Sequence, residues 1–305
     1  MKDETRDKTT ERKPWSILEG FAIGAVLIGI GLILQWTIGP VVWSVFSWPV
    51  NGITLALFLL AIVLMTVFAK QCRPFRFLST QQVAIPTLVY AVVLTIVMGL
   101  TQQKAGGRGI DNMLSYWPFV LIYALMAIVL GMVCLRRLLH FRFSIANLQF
   151  MAFHLGLFIV LLTATLGNAD MQRLKLITFV GQIEWRGVNE ENRVVETPLA
   201  IELKRFIMET YDNGQPKRYA SEIVVRTKSG DVKHAIVDVN KPVRINGWKI
   251  YQYGYDTQKG AQSQMSILEL VRDPWLPAVY TGIYLMLFGA LLMFMRKGRK
   301  EEKRR

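Results

Sequence analysis

Five stretches of this chain carry no Lys, Arg, Asp or Glu, and each is long enough to cross a lipid bilayer. They run over residues 20–69, 77–103, 112–135, 143–169 and 274–295. A spanning helix needs about 20 apolar residues, so the first stretch is long enough for two helices, separated by Gly39–Pro40 and Trp48–Pro49. We therefore predict six transmembrane helices, near residues 18–38, 51–69, 82–101, 115–135, 145–167 and 276–295.

The net charge of +14 has an uneven distribution that predicts the orientation of the helices. Residues 168–275 hold 16 basic and 14 acidic side chains, so the basic excess lies beside the helices. Alternate connections and tails, at residues 2–13, 70–76, 136–142 and 296–305, hold 18 Lys and Arg, whereas the other short loops hold only Lys104 and Arg108. The positive-inside rule then places both termini in the cytoplasm. The charge is an orientation signal and does not indicate a nucleic-acid partner.

Residues 168–275 are expected outside the cytoplasmic membrane and have a β pattern. Seven candidate strands, several with apolar–polar alternation, are separated by turn sequences such as Asn246–Gly247. They lie near 174–180, 182–186, 199–209, 219–227, 232–240, 248–255 and 264–271. The predicted fold is a six-helix membrane protein with an extracytoplasmic all-β sandwich or open barrel between helices five and six. The predicted domains are a cytoplasmic tail (1–16), a five-helix membrane region (17–167), the β domain (168–275), the sixth helix (276–295) and a basic cytoplasmic tail (296–305).

The cysteine content excludes two kinds of chemistry. The two cysteines, Cys72 and Cys134, fall at predicted cytoplasmic helix ends, and the sequence contains no CxxC or CxxCH motif. The chain is therefore neither a thiol oxidoreductase nor a c-type cytochrome. No glycine-rich phosphate loop interrupts the β region, which argues against a nucleotide site there.

His154 is the candidate functional residue, because it lies in the middle of the fifth predicted helix. An ionisable side chain at that depth is costly and usually faces protein, a cavity or a cofactor. On a helical projection Asn147 lies close to His154, with Phe150 and Phe158 along the same stripe. A neutral imidazole edged by aromatic rings suits an axial ligand of haem iron.

A structural role for His154 is the main alternative. The imidazole could instead bond to an amide such as Asn147, or to a backbone carbonyl, and hold helices together. A proton relay is disfavoured because no Asp or Glu lies inside a span to pass the proton on. His140 lies in a cytoplasmic loop and His234 in a strand, where both are expected at the surface. Arg136 and Arg137, in the same loop as His140, could pair with haem propionates.

The second half of the chain contains the motifs Phe153-His154-Leu155-Gly156-Leu157, Ile183-Glu184-Trp185-Arg186, Val239-Asn240-Lys241-Pro242, the run Trp248 to Asp256, and Arg272-Asp273-Pro274-Trp275. In this order they resemble the ResB family, also called CcsB, of system II cytochrome c biogenesis proteins. The resemblance covers about residues 145–296 and is weaker over the first four helices. Thr163-Ala164-Thr165 departs from the family, which usually has a Gly-Ala pair there.

The resemblance implies a haem-handling function. His154 would be the haem-iron axial ligand, with Asn147, Phe150 and Phe158 facing the haem and Arg136 and Arg137 near its propionates. The cargo would be haem b, exported across a bacterial cytoplasmic membrane and attached covalently to apocytochrome c. A CcsA-like membrane protein would be the partner and supply the second axial ligand. This chain would be a non-catalytic or co-catalytic subunit of the cytochrome c synthase (haem lyase) complex.

Two other functions remain open from the residues alone. The chain could be a membrane scaffold or sensor that displays an outer β domain, with His154 purely structural; short cytoplasmic loops without a signalling domain disfavour a sensor. A transporter of another substrate lacks the intramembrane carboxylates and the broken, repeated helices expected of that class.

Overall fold

The computed structural model describes residues 15–104, 106–190 and 192–302. Most of the predicted N-terminal tail and the last three residues of the C-terminal tail therefore lie outside the described residues. The chain divides into two compact units, one formed by Asp170–Leu276 and the other by the segments before and after it.

The first unit is helical. In the described part of the chain its helices are α1 (Ile17–Thr37), α2 (Val50–Phe68), α3 (Arg73–Leu78), α4 (Gln81–Leu100), α5 (Trp117–Leu139), α6 (Ile145–Gly167) and α7 (Leu276–Glu302). All except the short α3 are long and apolar enough to cross a membrane, which confirms the prediction of six such helices. The six residues of α3 are too few to show a helical period in the sequence. The helix α7 continues past residue 295, where the sequence predicted its end.

Glycines let neighbouring helix backbones approach closely, as small residues do in membrane bundles. At Gly20 a Cβ atom would lie only 2.1 Å from the Gln82 carbonyl oxygen of α4. That carbonyl has no donor at the usual helical position, because Pro86 lacks an N–H. At Gly24 a Cβ would lie 2.2 Å from the Tyr90 ring. Only glycine therefore allows this contact between α1 and α4.

The contact between α6 and α7 depends on three glycines. A Cβ on Gly156 would lie 2.6 Å from the Gly282 carbonyl oxygen, and one on Gly282 would lie 2.7 Å from the Gly156 carbonyl oxygen. A Cβ on Gly289 would lie 2.8 Å from the backbone nitrogen of Phe153. Gly20, Gly24, Gly282 and Gly289 thus all lie at close helix contacts.

Hydrogen bonds from side chains to backbone carbonyls also connect the helices. The fully buried Asn51 amide on α2 donates to the Leu166 carbonyl on α6 (3.2 Å). The Tyr123 hydroxyl on α5 donates to the Leu161 carbonyl on α6 (3.0 Å). Trp43, in a single 3₁₀ turn before α2, donates from Nε1 to the Leu114 carbonyl (3.1 Å). The Asn51 and Tyr123 bonds fix α6 against α2 and α5.

The second unit is an antiparallel β-sheet curled into a barrel-like form. Within the described residues it has β1 (Gln172–Phe179), β2 (Ile183–Val188), β3 (Val194–Thr210), β4 (Pro216–Thr227), β5 (Val232–Asp238), β6 (Val243–Ile245), β7 (Trp248–Tyr255) and β8 (Met265–Arg272). Their order is β5-β4-β3-β2-β1-β8-β7-β6. The edge strands β5 and β6 meet where Lys233 Nζ donates to the Arg244 carbonyl (2.9 Å). The sequence missed β6, which has only three residues.

The inner face of the sheet is mostly apolar and contains one group of three mutually bonded polar side chains. Its core consists of aliphatic side chains and Trp248, which is 2% exposed. Ser221, Gln252 and Ser266 are also buried, and each bonds to the other two through O···O and N···O distances of 2.6–3.1 Å. Because buried polar groups are costly only when unpaired, this triad is compatible with a stable core.

Candidate functional site

The structure fixes the tautomer of His154. The residue lies on α6, nine positions after Ile145 and therefore about 14 Å of helical rise from the start of the helix. Its Nδ1 is 2.9 Å from the Phe150 carbonyl oxygen one turn earlier. A carbonyl oxygen only accepts, so Nδ1 carries the proton. Among the described residues Nε2 has no hydrogen-bond partner, so its lone pair is available to a ligand.

Aromatic rings flank the imidazole. The Phe150 ring stacks on His154 with centroids 3.9 Å apart and an angle of 19°. Phe153 lies edge-on to it at 5.8 Å. The Arg137 guanidinium lies 5.1 Å from the centroid of the same Phe150 ring. Arg137, Phe150 and His154 thus form a continuous series of contacts along α5 and α6.

Asn147 does not bind His154. Its Nδ2 donates to the Arg142 carbonyl (2.6 Å), and its Oδ1 accepts a hydrogen bond from Arg137. The hydrogen bond made by His154 itself stays within α6 and therefore ties no two helices together. The structure gives no support to the interpretation of His154 as a link between helices.

Phe158, four residues after His154 on α6, is packed between helices. The side chain is 8% exposed and packs with Ile62 of α2 and Met132 of α5. A Cβ on Gly131 would lie 2.8 Å from the Phe158 ring, so the ring fills the space that this glycine leaves. Within this chain the Phe158 ring has a packing role, and its assignment to a haem-facing stripe stays a prediction.

A cleft with basic side chains lies where α5 ends and α6 begins. It measures 340 Å³, and we call it the basic cleft; it is lined by Ser79, Val133, Arg136, Arg137, His140 and Phe150. Arg136 donates to the Ser79 hydroxyl (3.3 Å), and His140 Nδ1 is 3.0 Å from the Arg136 carbonyl oxygen. The sequence pointed to the two arginines, but it gave no signal for Ser79, which comes from the turn before α4.

An apolar cavity of 280 Å³ lies at the other end of the α5–α6 pair. It is lined by Trp43, Leu114, Phe119, Val120, Tyr123, Ala164, Thr165 and Asn168. The hydroxyls of Tyr123 and Thr165 both donate to the Leu161 carbonyl, at 3.0 and 2.8 Å. Thr163 likewise donates to the carbonyl of Ile159 (2.7 Å). The hydroxyls of Thr163 and Thr165 are thus satisfied within α6.

No ready-made site for a protein-ligated metal ion accompanies these features. Across residues 15–104, 106–190 and 192–302 there is no group of three or more His, Cys, Asp or Glu side chains that could hold one. Cys72 and Cys134 are both free thiols.

Comparison with known proteins identifies the second half of the chain. Residues 142–267 match the ResB-like family model. The cytochrome c biogenesis protein CcsB of Prochlorococcus marinus subsp. pastoris is 24% identical over 148 residues, which cover 48% of this chain and 33% of that protein. CcsB of Prochlorococcus marinus strain NATL2A is 28% identical over 99 residues, covering 32% and 22%. The matches thus span a third or less of each curated relative.

Among solved structures, the cytochrome c haem lyase CcmF aligns with 92% of this chain and 46% of its own length, at 15% identity and a TM-score of 0.38. That overlap is too loose to guide any assignment of residues. The family match is more specific, because it includes α6 with His154 and strands β1 to β7 in full. Residues 142–267, which include His154, are therefore similar to the ResB-like family.

Proposed function

We propose that this protein is a haem-handling subunit of a system II apparatus for cytochrome c biogenesis, in which His154 supplies one axial ligand to the iron. The ResB-like domain and the relatives named as cytochrome c biogenesis proteins support this function. The haem is cargo, which the complex moves across the membrane and presents to apocytochrome c.

The geometry of His154 is the observation that carries the proposal. Histidines that bind a metal almost always donate their other ring N–H to a carbonyl or carboxylate, which fixes the tautomer and the orientation of the ring. His154 has this arrangement, with Nδ1 held by Phe150 and Nε2 unbonded among the described residues. The flanking Phe150 and Phe153 rings provide the apolar surroundings that the faces of a porphyrin need.

The arginines at the end of α5 supply the complementary charge. A haem carries two propionates, which are costly to leave in hydrocarbon. Arg137 contacts the ring that stacks on His154, and Arg136 lies beside it in the basic cleft. Both can donate charge-assisted hydrogen bonds to carboxylates. Asn147 contributes indirectly, since its hydrogen bond with Arg137 positions that guanidinium.

We further propose a topology in a bacterial cytoplasmic membrane. The charge distribution supports a topology with both termini and the end of α5 in the cytoplasm and the β unit outside. A CcsA-like membrane protein supplies the second axial ligand and the site of covalent attachment, since within the described membrane helices His154 is the single histidine. This chain then acts without a catalytic residue of its own.

Complementation of a deletion strain tests the proposal. The chain, His154→Ala and the control His234→Ala are expressed from a plasmid, and covalently bound haem c is measured by in-gel peroxidase staining. We expect His154→Ala to abolish maturation while apocytochrome export continues. His234 is exposed on β5, and its variant should mature cytochromes normally. Normal maturation with His154→Ala would show that haem does not depend on this residue.

A further inference from the structure

The basic cleft contains a second imidazole with the same internal arrangement as His154. His140 Nδ1 is 3.0 Å from the carbonyl oxygen of Arg136, four residues earlier. Because that oxygen accepts only, the proton again lies on Nδ1. Nε2 of His140 has no hydrogen-bond partner among the described residues, and the side chain is exposed at the cleft. His140 is therefore oriented to bind a metal from outside the bundle.

The charge around the cleft is of one sign. Arg136 and Arg137 line it together with His140. The elements that form it are α5, α6 and the segment between α3 and α4, and the sequence of these helices contains no Asp or Glu. Each guanidinium uses only part of its donors within the protein, Arg136 on Ser79 and Arg137 on Asn147. The remaining N–H groups favour a ligand that carries carboxylates.

Phe150 connects the cleft with the membrane histidine. Its ring lines the basic cleft and stacks on His154. His140 lies before the start of α6, whereas His154 lies on α6, about 14 Å of helical rise from the first residue of that helix. The two imidazoles therefore occupy successive positions along the path from the end of α5 into the bundle.

We propose that the basic cleft is an intake site for haem, in which His140 Nε2 binds the iron and Arg136 and Arg137 bind the propionates before the cargo reaches His154. This inference rests on the proposed function. It adds a binding site on the side from which haem enters and assigns a ligand to it. The cleft combines an imidazole nitrogen that can bind iron, two guanidinium groups with unused N–H donors and the aromatic ring of Phe150. This combination is specific to a metalloporphyrin that carries carboxylates.

Haem titration of the purified full-length chain tests the inference. The chain is placed in phosphatidylcholine nanodiscs, and ferric haem binding is followed by the Soret band and electron paramagnetic resonance. In His154→Ala we expect a weaker residual binding with the spectrum of an imidazole-ligated iron. Adding His140→Ala should weaken it by at least about tenfold and remove that spectrum, and added imidazole should restore the spectrum. Adding His234→Ala in place of His140→Ala is the matched control and should change nothing.

The arginines are tested with a ligand that lacks carboxylates. Arg136→Gln with Arg137→Gln should weaken binding of ferric haem several-fold but leave binding of its dimethyl ester unchanged. A residual spectrum that is equal with and without His140 would overturn the inference. So would residual binding that requires phosphatidylglycerol in the nanodisc, since the lipid headgroup would then hold the haem. If binding depends on His154 but not on His140, only the intake site is wrong; if the chain binds no haem at all, the proposed function also fails.

Discussion

Replacing Gly156 by alanine should destabilise the contact between α6 and α7. The added Cβ would lie 2.6 Å from the Gly282 carbonyl oxygen and 2.9 Å from the backbone nitrogen of Met286. Real Cβ atoms essentially never approach this closely, so the helices must separate by roughly 0.5–1 Å. A gap of that size forfeits about a quarter to a half of the dispersion energy of each atom pair across the contact.

The expected cost follows from two opposing effects. Overpacking of a close contact typically costs about 1–3 kcal/mol. Alanine is favoured over glycine in a helix interior by up to about 1 kcal/mol. The net loss for Gly156→Ala is therefore about 0–2 kcal/mol. A control variant that adds a Cβ in open space should show only the gain from the higher helix propensity of alanine. The free energies of unfolding of the two variants should therefore differ by about 1–3 kcal/mol, the cost of overpacking.

The full-length chain offers such a control in Gly29→Ala on α1, where a Cβ would meet nothing within 4 Å. Unfolding in sodium dodecyl sulfate, followed by circular dichroism and by the reactivity of the buried Cys134 thiol, gives the free energies. Gly156→Ala and Gly282→Ala should also combine non-additively, because either one already separates the helices. Equal stability of Gly156→Ala and Gly29→Ala would refute the close packing of α6 on α7.

Three further predictions concern other parts of the chain. Asn51→Leu removes the bond to the Leu166 carbonyl and should cost about 0.6–1.7 kcal/mol in the same unfolding assay; an unchanged midpoint would contradict it. Phe150→Leu should weaken haem binding with little change in stability, whereas Phe158→Leu should lower stability with little change in haem binding. The reverse pattern in haem titration and unfolding would contradict the roles assigned to the two rings. Hydrogen bonding by Arg186, assisted by the backbone N–H groups of Trp185 and Arg186, lowers the pKa of Glu184 to about 2. Because the folded-state pKa of Glu184 is lowered, its ionised carboxylate stabilises the β unit at pH values above the unfolded pKa of about 4.3, and this stabilisation is lost as the pH falls towards 2. Hydrogen exchange in β2, corrected for intrinsic rates, should therefore accelerate between these pH values in the wild type and not in Glu184→Gln.

The membrane helices could be predicted from the sequence because their signal is one-dimensional. A charge-free stretch of about 20 residues has few alternatives to a spanning helix, and the ends of α6 coincide with the prediction. Strands β4, β5 and β7 were likewise indicated by alternation. The three-residue β6 and the six-residue α3 were missed, since elements so short contain less than two periods of any pattern.

The candidate site was only partly predictable, because its geometry depends on contacts between helices. The sequence identified His154 and Phe150 as neighbours one turn apart, which any helix ensures. It could not show that Phe158 turns into the packing against Ile62 and Met132. It also gave no reason to associate Ser79 or His140 with Phe150, since the basic cleft forms only when α5, α6 and the segment between α3 and α4 come together.

The most direct test of the account is to detect the His154 nitrogen on the iron. This chain, labelled with ¹⁵N-histidine and carrying His140→Gln to remove the imidazole of the basic cleft, is combined with its unlabelled partner. Ferric haem is bound to the complex and measured by electron–nuclear double resonance. The account predicts a ¹⁵N coupling that disappears in His154→Gly and is replaced by a ¹⁴N coupling when unlabelled imidazole is added. A coupling that persists in His154→Gly, or haem bound without any ¹⁵N coupling, would contradict ligation by His154.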